Sequence, residues 1–195
     1  MHTATGHTKQ SVADFSAHFR ELVADSLDDV DMIIGGSEIE VQIDETKMGK
    51  RKYHRGHSVD GVWVLGGVER TPERKIFAVA VPDRSAETLV AVINRYVAEG
   101  STIVTDLWKG YSNISQLNNY HHMTVNHSLT FKDPVTGANT NTIEGTWCGL
   151  KAGISFKNRT SGSIESHLWE FIWRRKNQQR LWDAFIDALV EVYYD

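Results

Sequence analysis

From Ile39 the chain alternates strictly, with Ile39, Val41 and Ile43 in one phase and Glu40, Gln42 and Asp44 in the other. Side chains sort into one apolar and one polar face at a period of two only on an extended strand, so the pattern predicts a half-buried strand that ends in a carboxylate. Two β-rich runs follow, Gly61 to Glu69 and Lys75 to Val81, separated by Arg70-Thr71-Pro72-Glu73-Arg74, whose proline suits a tight turn. Three successive strands joined this way are expected to pair antiparallel.

The rest of the chain is punctuated as clearly. Ahead of the strands, Val12, Phe15, Phe19, Leu22 and Val23 fall at helical spacing between Thr8 and Asp25, with Thr8 or Ser11 as N-cap. After them, Ser85 caps a helix whose face is Leu89, Val92, Ile93, Tyr96 and Val97, and Gly100 closes it. Ser101 to Thr105 reads as a short buried strand that delivers Asp106 at its carboxyl end, where open α/β sheets display their ligand groups. A short helix near Tyr111 to Leu117, a strand from His122 to Asn126, a loop from Ser128 to Asn141 and a helix from Thr142 to Ala152 come next. Amphipathic segments at Ile164 to Arg175 and Trp182 to Tyr193 complete the chain. The order of strands and helices is that of an RNase H-like α/β fold, a mixed five-stranded sheet with helices on both faces, preceded by an N-terminal helix. The expected division is a helical segment over residues 1–35, a remnant of a helix-turn-helix or a packing helix, and the RNase H-like domain proper over residues 36–195.

Composition sets outer limits. With 41% apolar residues and six tryptophans, 195 residues suffice for a sizeable core. No apolar run approaches the roughly 18 residues that cross a bilayer, and the first residues lack the layout of a signal peptide, so a soluble intracellular protein is expected. Cys148 is the sole cysteine, which rules out an intrachain disulfide and a thiolate zinc site and leaves the thiol as small packing. A net charge of -4 argues mildly against nucleic acid, yet the charge is unevenly spread. Lys47, Lys50, Arg51, Lys52 and Arg55 crowd one stretch without an acid, either a DNA-backbone surface or a solvated loop.

Three carboxylates take parallel places: Asp44 on the first strand, Asp106 at the end of the fourth and Glu144 on the first turn of a late helix. Hard oxygen ligands without cysteine or a paired-histidine motif suit Mg²⁺ or Mn²⁺. Two such ions roughly 3.5 to 4 Å apart are the usual means of displacing a phosphodiester oxygen in line.

Five ordered blocks between about Ile39 and Arg175 carry a resemblance: Ile43-Asp44-Glu45-Thr46 with Gly49-Lys50-Arg51-Lys52; Gly66-Gly67-Val68-Glu69-Arg70; Val81-Pro82-Asp83-Arg84-Ser85; Val125-Asn126-His127-Ser128; and Asn141-Thr142-Ile143-Glu144. They resemble the DDE transposases of Merlin-type elements and their bacterial insertion-sequence relatives. The resemblance implies that Asp44 bridges two Mg²⁺ or Mn²⁺ ions, that Asp106 and Glu144 each hold one, and that the enzyme cleaves and joins double-stranded DNA at terminal inverted repeats and target DNA. It also implies a homodimer, since two ends must be brought together, and a location in the nucleus of a eukaryotic host or the cytoplasm and nucleoid of a bacterium. An asparagine replaces the third acid in some relatives, so Asn141, one turn before Glu144, competes for that role.

Lys151, two helical turns after Glu144, either holds a DNA phosphate near the metals or is a solvated helix lysine. His127 either orients water or a phosphate or is a structural histidine. Glu45 begins on the strand face opposite Asp44, and Trp108 and Trp147 are expected to pack beside the site. One departure from the family stands out: its members carry a zinc ribbon or a complete helix-turn-helix ahead of the catalytic domain, where this sequence has only the Thr8 to Asp25 helix. Two other readings fit the same acids, an RNase H-like structure-selective nuclease and a domesticated transposase that binds DNA or protein without turnover.

Overall fold

The structure is a computed structural model and describes residues 6–49, 61–117, 119–126 and 138–192. Helix α1, Lys9–Asp25, starts where the Thr8 side chain accepts the Ser11 amide, and the first main strand, β2, runs Glu40–Met48 after a two-residue bridge strand β1, Ile34–Gly35. Strands β3, Val62–Glu69, and β4, Ile76–Val81, follow as antiparallel neighbours. Helix α2, Ala86–Tyr96, begins at Ser85, whose hydroxyl accepts the Thr88 amide. Its C-cap is Val97, which opens the bridge strand β5, Val97–Ala98; Gly100, at φ +84°, makes the turn into β6 and does not end the helix. β6, Thr102–Asp106, and β7, His121–Val125, complete the sheet, and the helices α3, Asn141–Gly153, α4, Ile164–Lys176, and α5, Leu181–Glu191, complete the chain. The expected helix near Tyr111 is two short 3-10 turns, Lys109–Tyr111 and Ile114–Gln116.

The main sheet has the order β4-β3-β2-β6-β7, with β2 antiparallel to β3 and parallel to β6, and β6 parallel to β7. This is the expected mixed five-stranded, RNase H-like sheet. Both faces are covered. Ile43 and Gly67 pair across β2 and β3, and a Cβ on Gly67 would meet the Phe77 ring, which stacks on Tyr96 of α2 at 5.3 Å. On the other face Asp44 pairs with Gly66, and a Cβ on Gly66 would overlap the Trp147 indole of α3 and lie 2.9 Å from the Phe77 carbonyl oxygen. Glycine at 66 is therefore what lets α3 lie directly on the sheet beside Asp44. Gly66→Ala is expected to cost about 1–3 kcal/mol by overpacking, read as a lower denaturant midpoint with an unchanged slope.

Double coverage corrects the half-buried reading of β2. Gln42, assigned to the polar face, is fully buried beneath α3, and the strand continues four residues past Asp44 to Met48. Isoleucines and leucines from both sides, among them Ile43, Ile103, Leu89, Ile93, Ile143 and Leu150, form one continuous core. Each such burial is worth about 1.5–3 kcal/mol. α1 packs on α4 and α5, where Leu22 and Val23 are buried while Phe15 and Phe19 of the expected apolar face remain exposed. Among the described residues no helix is long and apolar enough to cross a membrane.

Candidate active site

The two strand carboxylates meet because of register. Gln42 pairs with Val104 across the parallel β2 and β6, so the residues two further on, Asp44 and Asp106, stand side by side on the same face. Each is pinned by an N–H: Trp147 Nε1 donates to Asp44 Oδ2 at 3.0 Å, and the Trp108 amide donates to Asp106 Oδ1 at 2.8 Å. Burial, then the charge of Glu45, push the Asp44 carboxyl up to about 6; the charge of Asp106 adds to this, against the Trp147 hydrogen bond.

Gln42 places the helix that carries the third acid. Its side-chain oxygen accepts the Thr142 and Ile143 amides at 2.9 and 3.2 Å, satisfying two of the free donors of the first turn of α3, while its amide nitrogen faces Asn139 Oδ1 at 3.4 Å. With its start fixed over Gln42 and Trp147 fixed on Asp44, α3 lies along β2 beside Asp44. Glu144 lies between these two anchors. It is exposed, and the Thr140 hydroxyl donates to its Oε1 at 2.9 Å. Among the described residues no three His, Cys, Asp or Glu side chains come together closely enough to hold a metal ion. The structure thus joins Asp44 to Asp106 and leaves Glu144 at the edge of the site.

The competing Asn141 goes elsewhere. It lines a cavity with Arg74, Gly145 and Arg175 on the flank of α3 turned away from Glu144. Lys151, half-buried, shares the Glu144 flank by helical periodicity. Lys47 is a strand residue opposite Trp63, with Nζ 5.4 Å from the ring centroid, and not part of a loop. Lys50, Arg51, Lys52, Arg55 and His127 lie outside the described residues. Cys148 is exposed on α3 and not packed.

Behind the pair lies a buried polar network of which the sequence reading caught only a part. Glu45, its side chain 5% exposed, accepts a hydrogen bond from the Tyr111 hydroxyl and pairs with Arg84 at 3.1 Å. The Arg84 guanidinium is held between two indoles, 4.0 Å from the Trp63 centroid and 4.5 Å from that of Trp108. Trp108 follows Asp106 and Glu45 follows Asp44, so this cation ties the two strand ends together from the far face. The signal was in the phase: Glu45 stands where the β2 alternation calls for an apolar residue, and an acid there needs a buried cation.

The donor set at the pair, two hard carboxylates of which Asp44 is held up first by burial and then by neighbouring negative charge, fits a hard divalent cation. Residues 31–176 match the ISXO2-like transposase domain family. The chain is also similar to an uncharacterized transposase-like protein of Haemophilus influenzae, 28% identical over 109 residues that cover 54% of this chain and 84% of the relative.

Proposed function

This chain belongs to the ISXO2-like transposase domain family, and from that premise we propose that it is a DNA transposase that cleaves and rejoins strands at transposon ends in cut-and-paste transposition. The observation that supports the reading is the shared phase of Asp44 and Asp106 on the neighbouring strands β2 and β6, with Trp147 of α3 held on Asp44. Asp44 and Asp106 would hold Mg²⁺ or Mn²⁺, with Glu144 as the third ligand. Bound there, such ions supply Lewis-acid polarisation of a phosphodiester and lower the pKa of an attacking hydroxyl.

The chain's own residues do the rest. Trp147 fixes the orientation of Asp44, the Trp108 amide that of Asp106, and the buried Gln42 sets where Glu144 can reach. Lys151, on the same flank as Glu144, would offer a cation to a DNA phosphate, and the basic residues Lys47, Lys50, Arg51, Lys52 and Arg55 would add contacts to the DNA backbone that are indifferent to sequence. The substrates are the terminal inverted repeats and a target duplex, and a homodimer would hold two ends together. A non-catalytic DNA-binding module is the second reading, favoured by the absence of a closed three-acid group among the described residues.

Cleavage of a duplex carrying the repeats that flank the gene, in Mg²⁺ or Mn²⁺, decides between them. Strand cleavage is expected, and binding without cleavage in either metal would establish the second reading. In the same assay Glu144→Gln is expected to lose far more activity than Asn141→Ala, because a carboxylate neutralises metal charge whereas an amide offers a neutral oxygen and Asn141 faces the other flank. An inactive Asn141→Ala beside an active Glu144→Gln would exchange the two roles.

A further inference from the structure

The flank of α3 turned away from Glu144 borders a cavity of about 400 Å³ lined by Arg74, Asn141, Thr142, Gly145, Thr146, Gly149, Phe171 and Arg175. Its two cations are unlike their neighbours. Arg174 pairs with Glu170, Lys176 with Asp31, Arg180 with Asp187 and Arg70 with Glu40, but neither Arg74 nor Arg175 has a carboxylate partner among the described residues. The Arg175 Nε is buried without a hydrogen-bond partner, and burial followed by the like charge of Arg74 works against its protonation. Two guanidinium groups drawn together, one of them partly desolvated and unpaired, cost free energy unless an anion joins them.

The wall opposite the cations is shaped to admit one. Gly145 and Gly149 leave that flank of α3 as bare backbone: a Cβ at Gly145 would meet nothing within 4 Å, and one at Gly149 would only reach the Phe171 ring at 4.0 Å. The flank therefore has room beyond the helix backbone, and a methyl group at either position would be accommodated. The positive end of the α3 dipole lies at the same place. Its Thr142 and Ile143 amides are already held by Gln42 and its Asn141 backbone N–H by Asn139 Oδ1, so the cations and the Asn141 side-chain amide remain as donors.

We propose that Arg74 and Arg175, facing the glycine flank of α3, form a binding site for a phosphate group, supplied by the backbone of DNA passing from the Asp44 and Asp106 site around the start of α3. Guanidinium forks match phosphate oxygens bidentately, and a contact to the phosphate backbone carries no sequence information of its own. The identity of the phosphate as DNA rests on the transposase reading; the site itself does not.

The test uses the full chain and three variants: Arg74→Asn, suited to the left-handed φ of +49° at that position, combined with Arg175→Gln; Gly145→Glu, which places a carboxylate in the cavity on a helix-favouring residue; and Gly145→Ala as a folding control. Inorganic phosphate is expected to raise the unfolding midpoint of the wild type and Gly145→Ala above that in chloride of equal ionic strength. The rise should be lost in the other two variants, a comparison that cancels the general stabilisation phosphate gives to folded proteins. For a mixed-sequence duplex, the slope of log affinity against log salt should fall by about one unit in the double arginine variant. A phosphate-specific rise with an unchanged slope overturns DNA as the source and assigns the site to a free phosphate. Equal behaviour of all variants in both arms overturns the site. Failure of the wild type to bind duplex at all counts against the transposase reading, while the inorganic phosphate arm still decides the site.

Discussion

Asp44→Asn is expected to reduce strand cleavage by roughly 100- to 1000-fold or more while making the metal-free protein more stable. The two effects have one origin. Asparagine keeps an oxygen to accept the Trp147 Nε1 hydrogen but carries no charge, so it removes both a metal ligand and a buried, repelled carboxylate. In the wild type the Asp44 pKa stands at about 6 against an ordinary 3.8, because burial first, and then the Glu45 and Asp106 charges, disfavour ionisation. The folded state therefore holds its proton more tightly than the unfolded chain between those two values, and stability falls as pH rises from about 4 to about 6. Above that window the ionised group costs on the order of 3 kcal/mol, and below it nothing. With chelator present at pH 7.5, Asp44→Asn should melt several degrees above the wild type, and the gap should close near pH 4. Saturating Mg²⁺ should narrow it at pH 7.5, since a bound cation offsets the same charge. Wild-type cleavage by Asp44→Asn would remove the catalytic assignment, and equal melting at pH 7.5 and pH 4 would remove the electrostatic one.

Gln42→Leu has the largest expected cost to the fold. Leucine fills nearly the same volume but accepts no hydrogen bond, so the Thr142 and Ile143 amides lose their partner beneath α3 and Asn139 loses its neighbour. Each buried group left unsatisfied costs about 1–3 kcal/mol, which places the loss near 2–6 kcal/mol for the two amides. Because the same contact fixes where α3 begins, a folded fraction of the variant should also cleave more slowly, through misplacement of Glu144, than its stability alone explains. Equilibrium denaturation measures the first effect, and single-turnover cleavage under conditions where the variant is fully folded measures the second. A variant as stable as the wild type would mean that water replaces the Gln42 oxygen and that α3 is placed by the packing of Trp147 on Gly66 alone.

Local physics wrote most of the architecture into the sequence. The period-two run at Ile39 to Ile43, the serine at 85 and the threonine at 8 act on residues three or four positions away, so strand phase and helix starts are legible without any tertiary information, and they led to β2, α2 and α1. The five ordered blocks, from Ile43-Asp44 to Ile143-Glu144, likewise pointed to the transposase family, because spacing along a chain survives in the sequence itself. What the sequence could not hold was any quantity set by contact between distant segments. That Gln42 is buried follows from α3 covering its face, a hundred residues later in the chain. That β2 runs on to Met48 follows from β3, whose Val62 and Trp63 pair with Met48 and Lys47 and keep Lys47 in the strand. Charge already favoured Glu144 over Asn141, one turn away, but only the fold shows that Asn141 lines the flank of α3 that meets Arg74 and Arg175. Burial and pairing depend on the sum of all neighbours, and the free energy of a carboxylate such as Asp44 is fixed by those neighbours and not by its own place in the chain.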